Sequence, residues 1–367
     1  MADTPVSDRS SARTVPRGLA VLVALASITV VTAGIKVTAG IVGPVFLALI
    51  LVIAVHPAGT YLRRHGWPRW LSAIVVLVAL YGILVVIFGS VVFSLGRLTT
   101  ILPDYADKFD DLVDDVKQFL QDHGVATASA DSILGNIDSH TLISAAGSLL
   151  SSAVSLTSTL ILIISVALFL VVDSLGVDDR TAVLRHVRPN IAEAMIGFTN
   201  GTRRYLLVTT LFGFIVAVLD AGVLWAIGIP LPLLWGLLSF ITNYIPNIGF
   251  VLGVVPPAVL GLLEGGPGTM LLVIVVYSAI NVVLQSFVQP KFVGDAVGLS
   301  TTITFLSLVV WGWILGPLGA ILAVPLTIFV KSLLVDVDPQ TRWMNIFIAD
   351  TVSATPSGPS NEGSADA

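Results

Sequence analysis

From Leu231 to Leu263 the chain runs 33 residues without a charged side chain, yet Asn243, Pro246, Asn247 and Gly249 sit near its middle. As one helix the run would measure about 50 Å at 1.5 Å per residue. A bilayer core of about 30 Å is crossed by about 20 residues. The block is too long for one span and too short for two. Proline removes a backbone donor and clashes with the preceding turn. The helix is therefore expected to break at Pro246 and fold back as two half-helices joined by a polar elbow.

The rest of the chain says which solvent surrounds that elbow. It is 55% hydrophobic and 11% charged, with mean hydropathy +0.96, against about 25% charge in a soluble domain. Apolar runs cover 18–35, 37–55, 70–96, 150–172, 205–229, 231–263, 269–288 and 300–334. The expected fold is an all-α polytopic membrane protein of about eight hydrophobic segments. Arg9, Arg13 and Arg17 before the first run would also suit a secretory leader. An 18-residue run that leads at once into a second one is long for that purpose.

Charge then orders the chain. Lys and Arg are retained on the cytoplasmic side, and they cluster in 1–17, 56–69 and 173–204. The segment 97–149 instead holds nine aspartates against Arg97, Lys108 and Lys117. The expected organisation is a disordered cytoplasmic tail (1–16), three spans (17–98) and an acidic extracytoplasmic helical insert (99–149). The remaining segments (150–340) follow, with a cytoplasmic loop at 173–204 and a second disordered tail (350–367). Both termini are then cytoplasmic, in a bacterial inner membrane. Within the insert, Leu102, Tyr105, Phe109, Leu112, Val116 and Phe119 form one helical stripe. Pro103 and Asp104 suit the start of that helix and Gly124 its end, and the aspartates between the stripe residues face water. The stripe packs on its own bundle or serves as a contact in a homo-oligomer.

The block 300–334 repeats the design of 231–263. Gly312, Gly316, Pro317 and Gly319 interrupt it, and each break is followed by a glycine, an aliphatic run and a proline: Gly249 to Pro256, Gly319 to Pro325. Paired interrupted segments point to a transporter's binding site. Both blocks are therefore expected to be re-entrant hairpins with tips on a shared pathway. The spacings Gly249/Gly253 and Gly312/Gly316 would let helices approach closely. Lys and Arg distribute 14 inside to 4 outside with re-entrant blocks, and 13 to 5 with spanning ones, so charge does not separate the two.

Three further features carry chemistry. Asp220 lies inside the span 205–229. An intramembrane carboxylate carries a proton, binds Na⁺, bonds a neighbouring helix or reaches wetted interface. Ser278, Asn281, Gln285 and Gln289 form a polar stripe that serves as interhelical glue or lines a pathway. The elbow adds Asn243, Tyr244, Pro246, Asn247 and Gly249. Signatures of enzymes are absent: no GxxxxGK[ST], HExxH or GxSxG occurs. The five histidines show no metal-ligand spacing, cysteine is lacking, and no basic nucleic-acid surface is present. The expected partners are lipid and a small-molecule or ion substrate, with no cofactor and no catalytic residue.

Trp235-Gly236, Asn243-Tyr-Ile-Pro-Asn-Ile-Gly249, Gln289-Pro-Lys-Phe-Val-Gly294, and Gly316-Pro-Leu-Gly-Ala320 through Pro325 resemble the autoinducer-2 exporter family of PerM-like bacterial permeases. The resemblance covers roughly residues 15–340. It implies eight hydrophobic segments and, for some relatives, export of a furanone-type signal; the expectation for this chain is a secondary transporter or exporter of such a signal or another small polar metabolite, driven by an H⁺ or Na⁺ gradient. Other relatives are sodium/proton antiporters, and fold alone does not choose a cargo. An oligomeric channel-like pore or a membrane scaffold built on the acidic insert are the alternatives. One departure stands out: relatives often have a proline after the PKxxG motif, where this chain reads Leu299-Ser-Thr-Thr302. The second hairpin is thus expected to start differently.

Overall fold

The computed structural model describes residues 16–123, 138–246, 248–288 and 299–348, and these are helical, with no strand among them. Hydrocarbon offers no hydrogen bonds, so each backbone group must find its partner inside its own helix. The first helices follow the apolar runs: α1 (Arg17–Val37), α2 (Ala39–Arg64) and α3 (Arg69–Ile101). Large apolar side chains such as Val86, Phe93, Phe169, Leu207, Phe214 and Trp225 point outward, as they do where the surrounding solvent is lipid. Among the described residues, five helical stretches are long and apolar enough to cross a membrane. Lys36, isolated between the first two runs, lies 3.7 Å from the centre of the Trp313 ring.

The insert begins without a break. A 3₁₀ turn, Leu102–Tyr105, carries α3 into α4 (Ala106–Asp122), so Pro103 sits inside that turn and does not start a separate helix. The apolar stripe packs in its first part, where Leu102 and Tyr105 are buried. Further along, Val113 is buried while Val116 and Phe119 are 40% and 61% exposed. Asp110 departs from the expectation that the aspartates face water. It accepts from the Ser139 amide at 2.8 Å and the Ser139 hydroxyl at 2.7 Å, tying α4 to the start of α5 (Ser139–Ser155). Gly124 lies outside the described residues. From α5 the chain continues into α6 (Thr157–Ser174), the short α7 (Val177–Val187) and the 39-residue α8 (Pro189–Ile227).

Two helical hairpins pack on α8. Gly228, in the left-handed region at φ 88, ends α8, and Leu231 at φ 57 starts α9 (Pro232–Thr242). Trp235 Nε1 donates to the Pro230 carbonyl at 3.0 Å and braces this turn. With 11 residues, α9 reaches only about 16 Å, half of a hydrocarbon core. The chain turns from Asn243 to Pro246 and returns as α10 (Gly249–Asn281), which is itself broken at Gly266 (φ 75) and continues into a π-helical turn, Val282–Val288. The second hairpin is α11 (Thr301–Leu315), Gly316 at φ 68, α12 (Pro317–Ile321) and α13 (Ala323–Lys331). In place of a proline, Ser300 caps α11, its side chain accepting from the Ile303 amide.

The expected echo between the hairpins appears as a shared steric requirement. A β-carbon on Gly249 would overlap the Thr242 carbonyl oxygen of the opposite arm, and one on Gly319 would overlap the Trp311 carbonyl oxygen. Gly253 also faces α9, 3.2 Å from Thr242 Oγ1 by the same construction. Gly312/Gly316 does not serve as a close-packing pair: only Ala320 Cβ, at 3.9 Å, comes near Gly312, and Gly316 is open. The tight glycine there is Gly319, because the chain reverses at Gly316 and the arms converge beyond it.

Contacts along α8 set the direction of each hairpin. In the first, Gly236 meets Ala217, and Asn243 meets Gly213 and Thr209, so α9 runs antiparallel to α8 and its elbow points toward the start of α8. In the second, Ile328 meets Gly201 and Phe329 meets Phe198. Its return arm is antiparallel to α8 too, so its tip points the other way. Apolar clusters hold both in place: Leu224, Trp235, Val254, Ala258 and Val273 around the first, and Phe46, Ile50, Phe198, Ile314 and Ile328 around the second.

Candidate transport site

Small residues bring α8 and the first hairpin together. A β-carbon on Gly236 would stand 2.7 Å from the Ala217 carbonyl oxygen, and one on Gly213 2.9 Å from Asn243 Nδ2. The backbones approach closely enough for short polar side chains to bridge them.

A broken helix leaves carbonyl groups without intrahelical partners; here a side chain meets the Tyr244 carbonyl, and further side-chain bonds tie the elbow to its neighbours. Asn243 Nδ2 donates to the Thr209 carbonyl at 3.1 Å. The Tyr244 carbonyl accepts from Tyr205 Oη at 3.1 Å, and the Tyr244 hydroxyl pairs with Thr210 Oγ1 at 2.7 Å. Gln285 Nε2 donates to Asn243 Oδ1 at 3.3 Å and to Asn281 Oδ1 at 2.9 Å. Asn281 Nδ2 donates in turn to the Tyr277 carbonyl at 3.0 Å. A ladder of neutral amides thus runs from the elbow along the crossing helix.

At the end of the ladder lies Asp220, 0% exposed. Among the described residues neither of its carboxylate oxygens has a partner within hydrogen-bond distance, and neither does the buried Tyr277 hydroxyl; the Ser239 side chain is the polar neighbour of both. Asp220, Ser239, Thr242, Asn243, Tyr277 and Asn281 line a cavity of about 10 Å³, closed by Val216 and Phe250. That is room for one water-sized occupant.

The structure brings together Asp220, Asn243, Tyr244, Asn281 and Gln285, with Pro246 and Gly249 shaping the turn between them. Asn247 and Gln289 lie outside the described residues. Gly316, Pro317 and Gly319 belong to the second hairpin, where Leu318 packs against Gly43 of α2, and they do not line this cavity. Sequence reasoning missed Ser239, Thr242 and Tyr277. The signal was present: Tyr277 stands four residues before Asn281 and eight before Gln285, so it, rather than Ser278, completes the stripe.

The family model described as "AI-2E family transporter" matches residues 15–337. The chain belongs to this family. Among its AI-2E relatives, the AI-2 transport protein TqsA of Escherichia coli is 30% identical over 317 residues, 86% of this chain and 91% of TqsA. YhhT of the same organism, named provisionally as a transport protein, is 28% identical over 329 residues, 89% of this chain and 91% of YhhT. A Haemophilus influenzae protein with the same provisional name is 28% identical over 342 residues, 90% of this chain and 96% of that protein. The AI-2E chain is accordingly a multi-pass membrane protein of a bacterial transporter family whose members move small solutes.

Proposed function

We propose that this AI-2E protein is a secondary exporter of a small polar solute in the class of hydroxylated furanone signals, coupled to an H⁺ or Na⁺ gradient. The observation that carries the reading is the polar elbow. Asn243 and Tyr244 place amide, hydroxyl and carbonyl groups where an 11-residue half-helix stops short, and Asn281 and Gln285 extend that polarity along the adjoining helix. Neutral donors and acceptors suit an uncharged polyol better than an ion. The name of TqsA supports the solute class. Non-helical backbone at membrane depth survives only where protein buries it or a watered cavity meets it, and a pathway supplies the second condition.

The same proposal places the protein in the inner membrane with both termini in the cytoplasm, the acidic insert outside and the two hairpin tips on one pathway. The basic residues of 56–69 and 173–204 support that orientation.

Uptake of a radiolabelled hydroxyfuranone into proteoliposomes under imposed pH or Na⁺ gradients is the test. Flux above protein-free vesicles, reduced about tenfold or more by Asn243→Leu, is expected; one lost buried hydrogen-bonding group is enough for that factor. No flux under either gradient removes the reading. A second reading, a sodium/proton antiporter, is favoured by the fully buried carboxylate of Asp220. It requires Na⁺ movement driven by a pH gradient with no organic solute present.

A further inference from the structure

Pro57 lies inside α2 and offers no N–H to the carbonyl one turn earlier. That carbonyl, of Ile53, accepts instead from Arg203 Nε of α8 at 3.3 Å. The bond draws a cation to the end of the apolar run of α2, beside His56. Arg63, seven positions after His56, shares its helix face. Its Nη2 donates to Thr60 Oγ1 at 3.2 Å and meets Asp178 of α7 at 3.5 Å, which leaves Nε and Nη1 for a ligand. Asp178, Arg203 and Arg63 are the charges that act on His56. The Asp178 side chain is 64% exposed against 20% for Arg63, so solvent screens the carboxylate more than the guanidinium. Positive charge prevails.

A cavity of about 30 Å³ lies among α2, α3 and α6 at this level, lined by His56, Gly59, Arg63, Ser72 and Ser174, with valines making up its apolar wall. His56 Nε2 is buried there and has no hydrogen-bond partner among the described residues. The two serines donate to the Pro68 and Val171 carbonyls, so the donors left to the cavity are His56 and Arg63. No carboxylate lines it. Such a pair of nitrogen donors suits an oxyanion. The room takes about two water-sized atoms, enough for two oxygens of a phosphate diester and too little for a whole headgroup. Tyr61, Trp67 and Trp70, in the same stretch of chain, are exposed, and such aromatic side chains mark the membrane–water boundary. Phosphate at that boundary belongs to lipid, and basic pockets between membrane helices bind anionic headgroups.

We propose that His56 and Arg63, backed by Arg203, form a site for the phosphoryl group of an anionic phospholipid at the basic end of α2. One phosphoryl oxygen accepts from His56 Nε2 and another from Arg63, and the lipid takes the place of Asp178 on that guanidinium. The site is independent of the solute carried at the elbow.

The test is native mass spectrometry of the purified full-length protein in detergent, titrated with phosphatidylglycerol, with phosphatidylcholine, or with inorganic phosphate alone. Saturable binding of phosphatidylglycerol, tighter than that of phosphatidylcholine, is expected. Arg63→Gln and His56→Leu should each weaken it about tenfold, the loss of a hydrogen bond to a charged group. His56→Gln, which keeps an N–H donor, should retain most of it. Asp178→Asn removes the competing carboxylate and should strengthen binding several-fold. Arg69→Gln, exposed and outside the cavity, should leave it unchanged. The Arg63–Asp178 pair is exposed enough that its loss leaves the fold intact. Equal affinity for the two lipids overturns the proposal, and so does a loss in Arg69→Gln as large as in Arg63→Gln, which would assign binding to surface charge at large. Weaker binding in Asp178→Asn overturns it too, because Arg63 would then serve the ion pair alone. Inorganic phosphate bound as tightly at the same residues overturns lipid as the source of the phosphoryl group.

Discussion

Gln285 donates its side-chain amide to Asn243 Oδ1 at 3.3 Å, joining two segments 42 residues apart in the chain. Asn243 uses its other amide atom on the Thr209 carbonyl, so one side chain ties the elbow both to α8 and to the helix that follows. Removing it leaves groups on both sides without their partner. Asn243→Ala is expected to destabilise the protein by about 1–3 kcal/mol, and a double-mutant cycle with Gln285→Ala should show coupling of about 0.6 kcal/mol or more, the scale of such bonds in membranes. Unfolding in bicelles measures it. Strict additivity would show that the two side chains act independently.

The two hairpins depend on glycine at corresponding places. At Gly249 and Gly319 a β-carbon would overlap a carbonyl oxygen of the facing arm, and backbone cannot yield as a flexible side chain can. Gly249→Ala and Gly319→Ala are each expected to cost about 1–3 kcal/mol. Gly312→Ala is expected to be nearly neutral, since its new methyl meets only Ala320 Cβ at 3.9 Å. Melting temperatures of the three variants in detergent check the contrast, and an equal loss in all three would contradict it.

The start of α5 carries a pH dependence. Asp138 accepts from the Thr141 hydroxyl and the Thr141 amide, both at 2.7 Å. These bonds favour the charged form, the hydroxyl contributing most, and hold the carboxyl below the usual aspartate range. A depressed folded value means that the cap contributes above the unfolded value of about 3.9 and is lost as pH falls through the lower, folded value. Deuterium-exchange protection at 139–142 should be steady above about pH 5 and decline below about pH 4. In Asp138→Asn it should be flat over the same range. Steady protection of the wild type down to about pH 2 would contradict the assignment.

How much of this was legible in the sequence follows from what repeats and what does not. The breaks at Pro246 and Gly316 were readable because proline, glycine and segment length act locally. Asp220 and the pair Asn281/Gln285 were readable because a polar atom in an apolar run has few innocent explanations. Ser239 and Thr242 were not, since Ser and Thr in a membrane helix usually satisfy themselves within it; what singles them out is the approach of three helices around Asp220, whereas Tyr277 was marked by its spacing to Asn281 and Gln285 and passed over for Ser278. The insert shows the same limit. Periodicity gave its stripe, but the partner of Asp110, Ser139, comes from a segment 29 residues away.

The insert also bears on the first hairpin. Tyr105 donates its hydroxyl to Glu264, and Lys108 Nζ lies 3.9 Å from the same carboxylate. Glu264 stands just before Gly265 and Gly266, where α10 breaks. Tyr105→Phe should increase deuterium exchange at 264–268 several-fold. Lys108→Ala should change it little, because an exposed ion pair contributes only about 0.2–1 kcal/mol. The reverse order would mean that charge, not the tyrosine bond, holds the insert on the hairpin.

The elbow itself can be probed directly, because the chain has no cysteine to remove. Tyr244→Cys, placed as the only thiol in the protein, can be treated with a small membrane-impermeant methanethiosulfonate in inside-out and right-side-out vesicles. Modification from at least one side, slowed by the hydroxyfuranone when it is present, is the expected result for a watered pathway at membrane depth. A thiol that stays unmodified from both sides in folded protein, or one whose rate ignores the solute, would contradict a transport route past Asn243 and Tyr244.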